Sequence, residues 1–246
     1  SSDLQVSSAL ILDNSNERVM TGAADLSLLA FQDISIGGVI STGGTINFSG
    51  GGQLSGTGKL DVSGSTLGLG GDFLKSSGTL TISQTDLKLV DNSTLTSDEA
   101  LSFVNLNLND FTLTLGSPTS DLTVQNAIII DASTEGISTG ESDLILDASI
   151  DISDGGVIST GGIVSLSGGG QLSGTGILDV SGGNWILGGD FVKSSGTLTT
   201  SQTNLVLAGS SIKLTSDVAL SFVTLNLNYK TLTLGSATSD LTVINP

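Results

Sequence analysis

Aspartate is the titratable residue type that recurs most often at corresponding positions along this sequence. The repeated pairs are Asp13/Asp131, Asp25/Asp143, Asp33/Asp151, Asp61/Asp179, Asp72/Asp190, Asp98/Asp217 and Asp121/Asp240. Clustered carboxylates can act as general acid and base or bind calcium. Most of these aspartates stand beside Gly, Ser or Asn, where Asp side chains commonly form Asx-turns with backbone amides. We therefore expect turn chemistry rather than catalysis.

The other residue types needed for catalysis are scarce. Histidine and cysteine are absent, which excludes imidazole bases, thiol nucleophiles and Cys/His zinc sites. Arg18 is the only arginine, and two lysines, Lys59 and Lys88, have the apolar counterparts Ile177 and Val206. The sequence thus indicates no catalytic, cofactor-binding or metal-binding residue and predicts that the protein is not an enzyme.

Calcium is the one cofactor that the composition leaves open. Oxygen ligands are plentiful, and cations would reduce the self-repulsion of a chain with a net charge of −17. Complete ligand loops are missing, because the segments 70–73 and 188–191 (Gly-Gly-Asp-Phe) match only part of a calcium-binding nonapeptide. The same negative charge disfavours nucleic acid as a partner, and no apolar run is long enough for membrane insertion.

The residues above belong to an internal repeat. The segment 37–44 (GGVISTGG) recurs at 155–162, and the segment 49–58 (SGGGQLSGTG) recurs at 167–176, an offset of about 118 residues. The offset grows by one residue between Leu89 and Leu95, which indicates an insertion in a loop or bulge of the second copy. We place the first repeat at residues 1–121 and the second, with the start of a third, at residues 122–246, and expect the two to be continuous.

Each repeat alternates apolar and polar residues, as in Thr79-Leu80-Thr81-Ile82, and Gly-rich or Asp/Ser-rich turns interrupt the alternation. This pattern predicts β-strands and no helices. Small aliphatic side chains, few aromatic residues and dense glycine turns favour a parallel β-helix, or β-solenoid, with coils of roughly 18–24 residues. Two tandem β-sandwich domains are the alternative fold. In a solenoid, we expect Leu80, Leu198, Leu106 and Leu225 to point inwards.

The segments 51–64 (GGQLSGTGKLDVSG) and 169–182 resemble the glycine-punctuated repeats of autotransporter passenger domains and filamentous-haemagglutinin-type adhesins. The resemblance implies a right-handed parallel β-helix on a bacterial cell surface. It also implies a structural or adhesive role as a stalk, filament or adhesin, in an extracellular tandem-repeat protein. Surface glycans are then possible partners.

Two other functions remain as alternatives. Thr-Leu-Thr strands at 79–81, 94–96, 112–114, 197–199 and 231–233 would suit an ice-binding solenoid if all five shared one face. A polysaccharide-binding or polysaccharide-cleaving β-helix is the second alternative, for which stacking of a sugar on Trp185 competes with a place for Trp185 in the core.

The ends of the sequence suggest self-association. Residues 2–6 (SDLQV) recur with one difference at residues 239–243 (SDLTV), so the C-terminal segment begins a third copy. An open solenoid end exposes apolar side chains and unpaired backbone groups. We expect such ends to associate end to end, either with the adjacent repeat of a longer chain or with another molecule.

Overall fold

The computed structural model describes residues 3–245. Regular structure in that range consists of β-strands, with no helix. The chain divides into two compact units, Ser1–Ser120 (unit 1) and Asp121–Pro246 (unit 2). Ser2, with which the repeated N-terminal segment is expected to begin, lies outside the described residues.

Unit 1 contains seventeen short strands among its described residues. They are β1 Leu4–Val6, β2 Ile11–Leu12, β3 Arg18–Gly22, β4 Leu26–Leu28, β5 Gln32–Ile34, β6 Val39–Thr42, β7 Ile46–Phe48, β8 Gly52–Leu54, β9 Lys59–Asp61, β10 Thr66–Leu69, β11 Phe73–Lys75, β12 Thr79–Thr81, β13 Asp86–Leu89, β14 Ser93–Ser97, β15 Leu101–Phe103, β16 Leu106–Asn107 and β17 Thr112–Leu115.

Unit 2 continues the numbering from β18. Its described strands are β18 Leu122–Val124, β19 Ile128–Ile130, β20 Gly136–Gly140, β21 Leu144–Leu146, β22 Ile150–Ile152, β23 Val157–Thr160, β24 Ile163–Leu166, β25 Gly170–Leu172, β26 Ile177–Asp179, β27 Asn184–Leu187, β28 Phe191–Lys193, β29 Thr197–Thr199, β30 Asn204–Leu207, β31 Ser211–Ser216, β32 Leu220–Phe222, β33 Thr224–Asn226, β34 Thr231–Leu234 and β35 Leu241–Val243.

Strands three apart in the chain pair in parallel, so three strands make one coil. In unit 1, sheet A contains β1, β4, β7, β10, β13 and β16, sheet B contains β2, β5, β8, β11, β14 and β17, and sheet C contains β3, β6, β9 and β12. In unit 2, sheet D contains β18, β21, β24, β27, β30 and β33, and sheet E contains β19, β22, β25, β28, β31 and β34. The strands β20, β23, β26 and β29 pair in that order, and within this unit we label them sheet F. β32 pairs with β35.

This arrangement is an all-β parallel β-solenoid, as the sequence predicts. The alternative of two β-sandwiches is wrong, because sandwich strands pair antiparallel whereas these strands pair in parallel. In sheet A the positions Leu4, Leu26, Ile46, Leu67, Leu87 and Leu106 are aligned in that order. Along this row a coil takes 19–22 residues, within the expected range.

The core of each unit is a stack of inward aliphatic side chains. Leu26, Ile46 and Leu67 are fully buried in sheet A of unit 1, as are Val164 and Leu205 in sheet D of unit 2. Each such side chain contributes about 1.5–3 kcal/mol by leaving water. The thin interior is filled mainly by Leu, Ile and Val, which explains why the sequence alternates these residues with small polar ones.

The turns between strands repeat the same backbone geometry in both units. Gly51 and Gly169 have φ angles of 74° and 71°, and an added Cβ would lie 2.4 Å from the Asp72 carbonyl oxygen or 2.1 Å from that of Asp190. Only glycine satisfies both restrictions there. The one-residue insertion lies where the sequence predicts it, at the start of β31, which is six residues long against five in β14.

The four leucines expected to point inwards occupy inward register positions. Leu80 pairs with the buried Leu60, and Leu198 pairs with the buried Leu178. Both are nevertheless only half-buried, because β12 and β29 are the last strands of their sheets and no further strand covers them. Leu106 and Leu225 continue the leucine rows of sheets A and D, with Leu106 buried and Leu225 half-buried.

Candidate functional site

A row of four outward side chains crosses sheet E of unit 2. Ile129, Asp151, Gln171 and Val192 are successive partners in the parallel register. Their neighbours point inwards because side chains alternate between the two faces of a strand, and Ile130, for example, is fully buried. The row therefore lies on the outer surface of unit 2, and we call it the Asp–Gln row.

A groove of about 480 Å³ runs along the Asp–Gln row. Ile129 and Val192 are 62% and 40% exposed and supply apolar walls. Gly170 lies in the groove, and a Cβ atom there would come within 2.4 Å of the Ile150 carbonyl oxygen. Gly170 is aligned with the buried Ile150 and Phe191, so this restriction comes from the core side of the strand. The volume of the groove is within the range of about 300–1,000 Å³ usual for small-molecule sites.

The polar centre of the groove is the Asp151 carboxylate. The Gln171 Nε2 atom donates a hydrogen bond of 2.6 Å to Asp151 Oδ2. Asp151 Oδ1 is buried and has no hydrogen-bond partner among the described residues. An ionised carboxylate accepts only, and leaving one of its oxygens buried and unpaired is energetically costly. The groove therefore contains an acceptor that lacks a donor.

A second carboxylate, Asp190, also lines the groove but is already engaged. Its Oδ1 atom accepts a hydrogen bond of 2.8 Å from the Lys213 backbone amide in the next coil. No lysine or arginine side chain lines this groove in the described part of unit 2. The site is therefore acidic, with one carboxylate engaged by the backbone and one incompletely satisfied.

Unit 1 contains the same row on sheet B. Ile11, Asp33, Gln53 and Leu74 are aligned in that order, and Asp33 Oδ1 is again buried without a partner in the described range. The surroundings differ, because Phe31 stands where unit 2 has the groove residue Ser149. The phenyl ring of Phe31 is 51% exposed. The two rows share their polar centre but not their wall.

A second repeated feature is an ion pair formed by a buried lysine. The Lys75 and Lys193 side chains are 2% and 4% exposed and occupy inward positions of β11 and β28. Lys75 Nζ pairs with Asp98 and lies 3.0 Å from Glu99 Oε1, whereas Lys193 Nζ pairs with Asp217. Each pair joins successive coils of its unit, so we interpret it as an ion pair that stabilises the stacking of coils rather than as a reactive centre.

The pKa values at these pairs follow from their contacts. Burial alone would lower the pKa of Lys75, but hydrogen bonds to Asp98 and Glu99 and their negative charges outweigh it and raise the pKa above its ordinary value of 10.5. The hydrogen bond from Lys193 lowers the pKa of Asp217 below its ordinary 3.8, against an opposing effect of desolvation. Lys75 and Asp217 are therefore held in the charged form at neutral pH.

Most of the other repeated aspartates accept hydrogen bonds from backbone amides, but only some of them form the expected Asx-turns. Asp61 and Asp179 accept from the amides two residues later, Ser63 and Ser181, as predicted. In the second group, Asp25, Asp72, Asp143 and Asp190 instead accept from an amide of the next coil. The Asx-turn prediction is wrong for that group because solenoid stacking places a backbone donor above each of these carboxylates.

The Thr-Leu-Thr strands do not share one face. Within unit 1, residues 79–81 lie in sheet C, whereas residues 94–96 and 112–114 lie in sheet B. Within unit 2, residues 197–199 lie in sheet F and residues 231–233 in sheet E. The single flat array that the ice-binding hypothesis requires is therefore not formed by these five strands.

Trp185 belongs to the core. It is fully buried, its ring centroid lies 5.0 Å from that of Phe191, and its indole Nε1 has no hydrogen-bond partner in the described structure. It cannot stack on a sugar at the surface. In residues 3–245 no group of three or more acidic side chains is arranged to hold a metal ion. The same residues include no helix long and apolar enough to cross a membrane.

These features define a β-solenoid repeat protein in which each unit carries an outward Asp–Gln row and an inward lysine ion pair. Comparison with protein-family models, with curated proteins and with solved structures finds no match to this chain. Membership of the autotransporter or haemagglutinin-type families thus stays a prediction.

Sequence reasoning assigned no binding residue and missed both features. A signal was present for each. Lys75 and Lys193 follow the pattern Phe-x-Lys, which places the lysine on the same inward face as the phenylalanine. Asp33 and Gln53 are one coil apart and repeat as Asp151 and Gln171. Recognising the row requires the register, which the sequence alone does not supply.

Proposed function

We propose that this chain is a structural or adhesive segment of an extracellular bacterial surface protein, and that its units extend a rod or filament by head-to-tail stacking. The observation that carries the proposal is the apolar surface of the two terminal coils. Inward Leu4 of the first coil is 45% exposed although its partner Leu26 is fully buried, and inward Leu234 of the last coil is 43% exposed although Leu214 is buried.

Such ends favour continuation of the solenoid. The terminal strands present a row of backbone N–H and C=O groups with the spacing that a further parallel strand requires, next to an uncovered apolar interior. A following coil, whether from the same chain or from another molecule, would bury both. Contact between unlike ends is heterologous and does not close, so repetition of this contact grows a filament.

The surface composition supports a location outside the cell. A net charge of −17 opposes binding to nucleic acid and anionic membranes, and the absence of cysteine removes any dependence on redox state. The resemblance of the 51–64 and 169–182 segments to surface β-helices points the same way. The proposal assigns the protein no catalytic step.

Two variants, each blocked at one end of the solenoid, test the head-to-tail stacking. Leu4→Lys places a charge on the first coil and Leu234→Lys on the last, so neither variant should self-associate, while a mixture of the two should form a pair through the intact ends. Sedimentation velocity distinguishes these outcomes, with the wild-type chain expected to grow in steps of 24.6 kDa. Leu74→Lys, at an exposed position on the outer face of sheet B, is the control and should associate like wild type.

Two results would reject this role. A wild-type chain that remains a monomer at every concentration contradicts head-to-tail stacking, and so does a mixture that stays unpaired while both variants are folded.

Incubation with surface polysaccharides tests the expectation that the protein has no catalytic activity. No cleavage is expected, and cleavage that a single Asp→Asn substitution abolishes would show that the protein is an enzyme after all.

A further inference from the structure

We propose that the groove of unit 2 binds a saccharide through Asp151 and Gln171. The site is separate from the ends of the solenoid, so the inference does not rest on the proposed stacking. Loss of either function should leave the other intact.

The polar centre sets the chemistry of the ligand. Asp151 is an acceptor only and has one oxygen without a donor, so the ligand must donate hydrogen bonds. Gln171 gives one N–H to Asp151, which leaves its second N–H and its carbonyl oxygen for a ligand. A hydroxyl group both donates and accepts, and neighbouring hydroxyls on one ring can satisfy the carboxylate and the amide together.

Gln171 donates to the other oxygen of the carboxylate, Oδ2. The Asp151 Oδ1 atom is buried, whereas the Gln171 side chain is exposed. Because exposed side chains change rotamer rapidly, a ligand hydroxyl group can displace the Gln171 amide from Oδ2 without rearranging the core. A neighbouring hydroxyl group can then supply the donor that Oδ1 lacks, so the exchange adds one hydrogen bond and favours binding.

The apolar walls select a ring over a simple cation. Ile129 and Val192 expose aliphatic surface at the two ends of the Asp–Gln row, which suits the C–H faces of a sugar ring. A metal ion would need several oxygen ligands, and in residues 3–245 no group of three acidic side chains is arranged to hold one. A protonated amine would use the carboxylate but has no acceptor for the second N–H of Gln171.

Unit 1 supplies a natural contrast. Its row has the same carboxylate and amide, Asp33 and Gln53, but Phe31 replaces the groove residue Ser149. Substituting Ser149→Phe in unit 2 therefore introduces the wall residue of unit 1 without touching the polar centre. We expect this change to close the groove to a ring-sized ligand.

Backbone amide chemical shifts in two-dimensional NMR provide the test, with Leu4→Lys present in every protein so that stacking does not broaden the signals. The probes are the methyl glycosides of glucose, galactose, mannose and N-acetylglucosamine, the disaccharides lactose and cellobiose, and n-butylamine as the amine probe. We expect at least one saccharide to shift the amides of residues 128–130, 150–152 and 170–172 at concentrations up to about 10 mM, a range that detects even weak binding.

Matched variants locate the site. Asp151→Asn and Ser149→Phe should each weaken the saccharide affinity at least about tenfold, whereas Asp33→Asn, the same substitution in unit 1, should leave those shifts unchanged. Melting curves check that every variant folds. The proposal is overturned if no saccharide binds, if only n-butylamine binds, if the shifts lie elsewhere, or if a folded Asp151→Asn variant binds as tightly as wild type.

Discussion

Units 1 and 2 fill the same stretch of core in different ways. Unit 1 has Phe48 and Leu67 on neighbouring strands of sheet A, and unit 2 has Leu166 and Trp185 at the corresponding places in sheet D. Phe48 packs edge-on against Phe73 with ring centroids 5.1 Å apart, while Trp185 packs edge-on against Phe191 at 5.0 Å. Each unit thus packs one aromatic side chain against the equivalent phenylalanine, and this partner comes from the preceding coil in unit 1 but from the same coil in unit 2.

The contrast separates two kinds of constraint. Turn positions with positive φ and the buried lysine ion pairs recur in both units, because backbone geometry and charge pairing leave little choice. The core side chains are exchanged, because a close-packed interior fixes the total volume rather than the identity of each residue. Substitutions at the positions that differ between the units test both kinds of constraint.

The largest effect is expected from the exchanged core pair. Trp185→Leu gives unit 2 the residue of unit 1 without its compensating phenylalanine, and the resulting cavity should lower the free energy of unfolding by about 2–3 kcal/mol. Adding Leu166→Phe should restore a large part of the loss, since the introduced phenyl ring would pack on Phe191 as Phe48 does on Phe73. Urea denaturation of the single and double variants measures both values.

The control for that exchange is Leu166→Phe alone, which should destabilise by overpacking next to the intact Trp185. If the changes in unfolding free energy of the two single variants simply add in the double variant, the two side chains do not compensate each other's volume at this position.

The lysine ion pairs should give the next largest difference. Asp217→Asn leaves Lys193 buried without its carboxylate, whereas Asp98→Asn leaves Lys75 with Glu99 at 3.0 Å. The melting temperature should therefore fall more for Asp217→Asn than for Asp98→Asn, because an unpaired buried charge is costly. Val218→Glu introduces the missing second carboxylate of unit 2 and should reduce the gap. Equal losses would mean that Glu99 contributes nothing.

The same pairs predict how stability depends on pH. The pKa of Lys75 is raised on folding, so its contribution is complete below 10.5 and is lost as the pH rises through the folded-state pKa. The pKa of Asp217 is lowered, so its contribution is complete above 3.8 and is lost as the pH falls through the folded-state value. Melting curves at acid pH should therefore show a smaller loss for Asp217→Asn than for wild type.

The smallest effect concerns one turn. Ile36 of unit 1 has φ = 39° and is 65% exposed, while the corresponding Asp154 of unit 2 has φ = 44°. A β-branched residue is strained in this left-handed region, which Asp tolerates better. Ile36→Asp should stabilise the protein by about 0.5–1 kcal/mol, and Asp154→Ile should destabilise it by a similar amount. Chemical denaturation that shows the opposite signs would contradict this explanation.

The fold was largely predictable from the sequence because its determinants are local. Alternation marked the strands, glycine turns marked their ends, and the recurrence of GGVISTGG marked the repeat. Features that depend on register were not predictable. Asp25 was expected to form an Asx-turn but binds Thr45 of the next coil, and the alignment of Asp151 with Gln171 becomes visible only when coils of unequal length are stacked.

The burial of Lys75 and Lys193 also affects how readily proteases cleave the folded protein. Trypsin-like enzymes cut after lysine or arginine, and the sequence has 7 such residues. Lys75 and Lys193 are sealed inside the coils, and Arg18, Lys59, Lys88 and Lys213 lie within paired strands. Only Lys230, between β33 and β34, stands outside a strand. Since these proteases need a locally unfolded segment in their active site, the folded chain offers them little more than one point of attack.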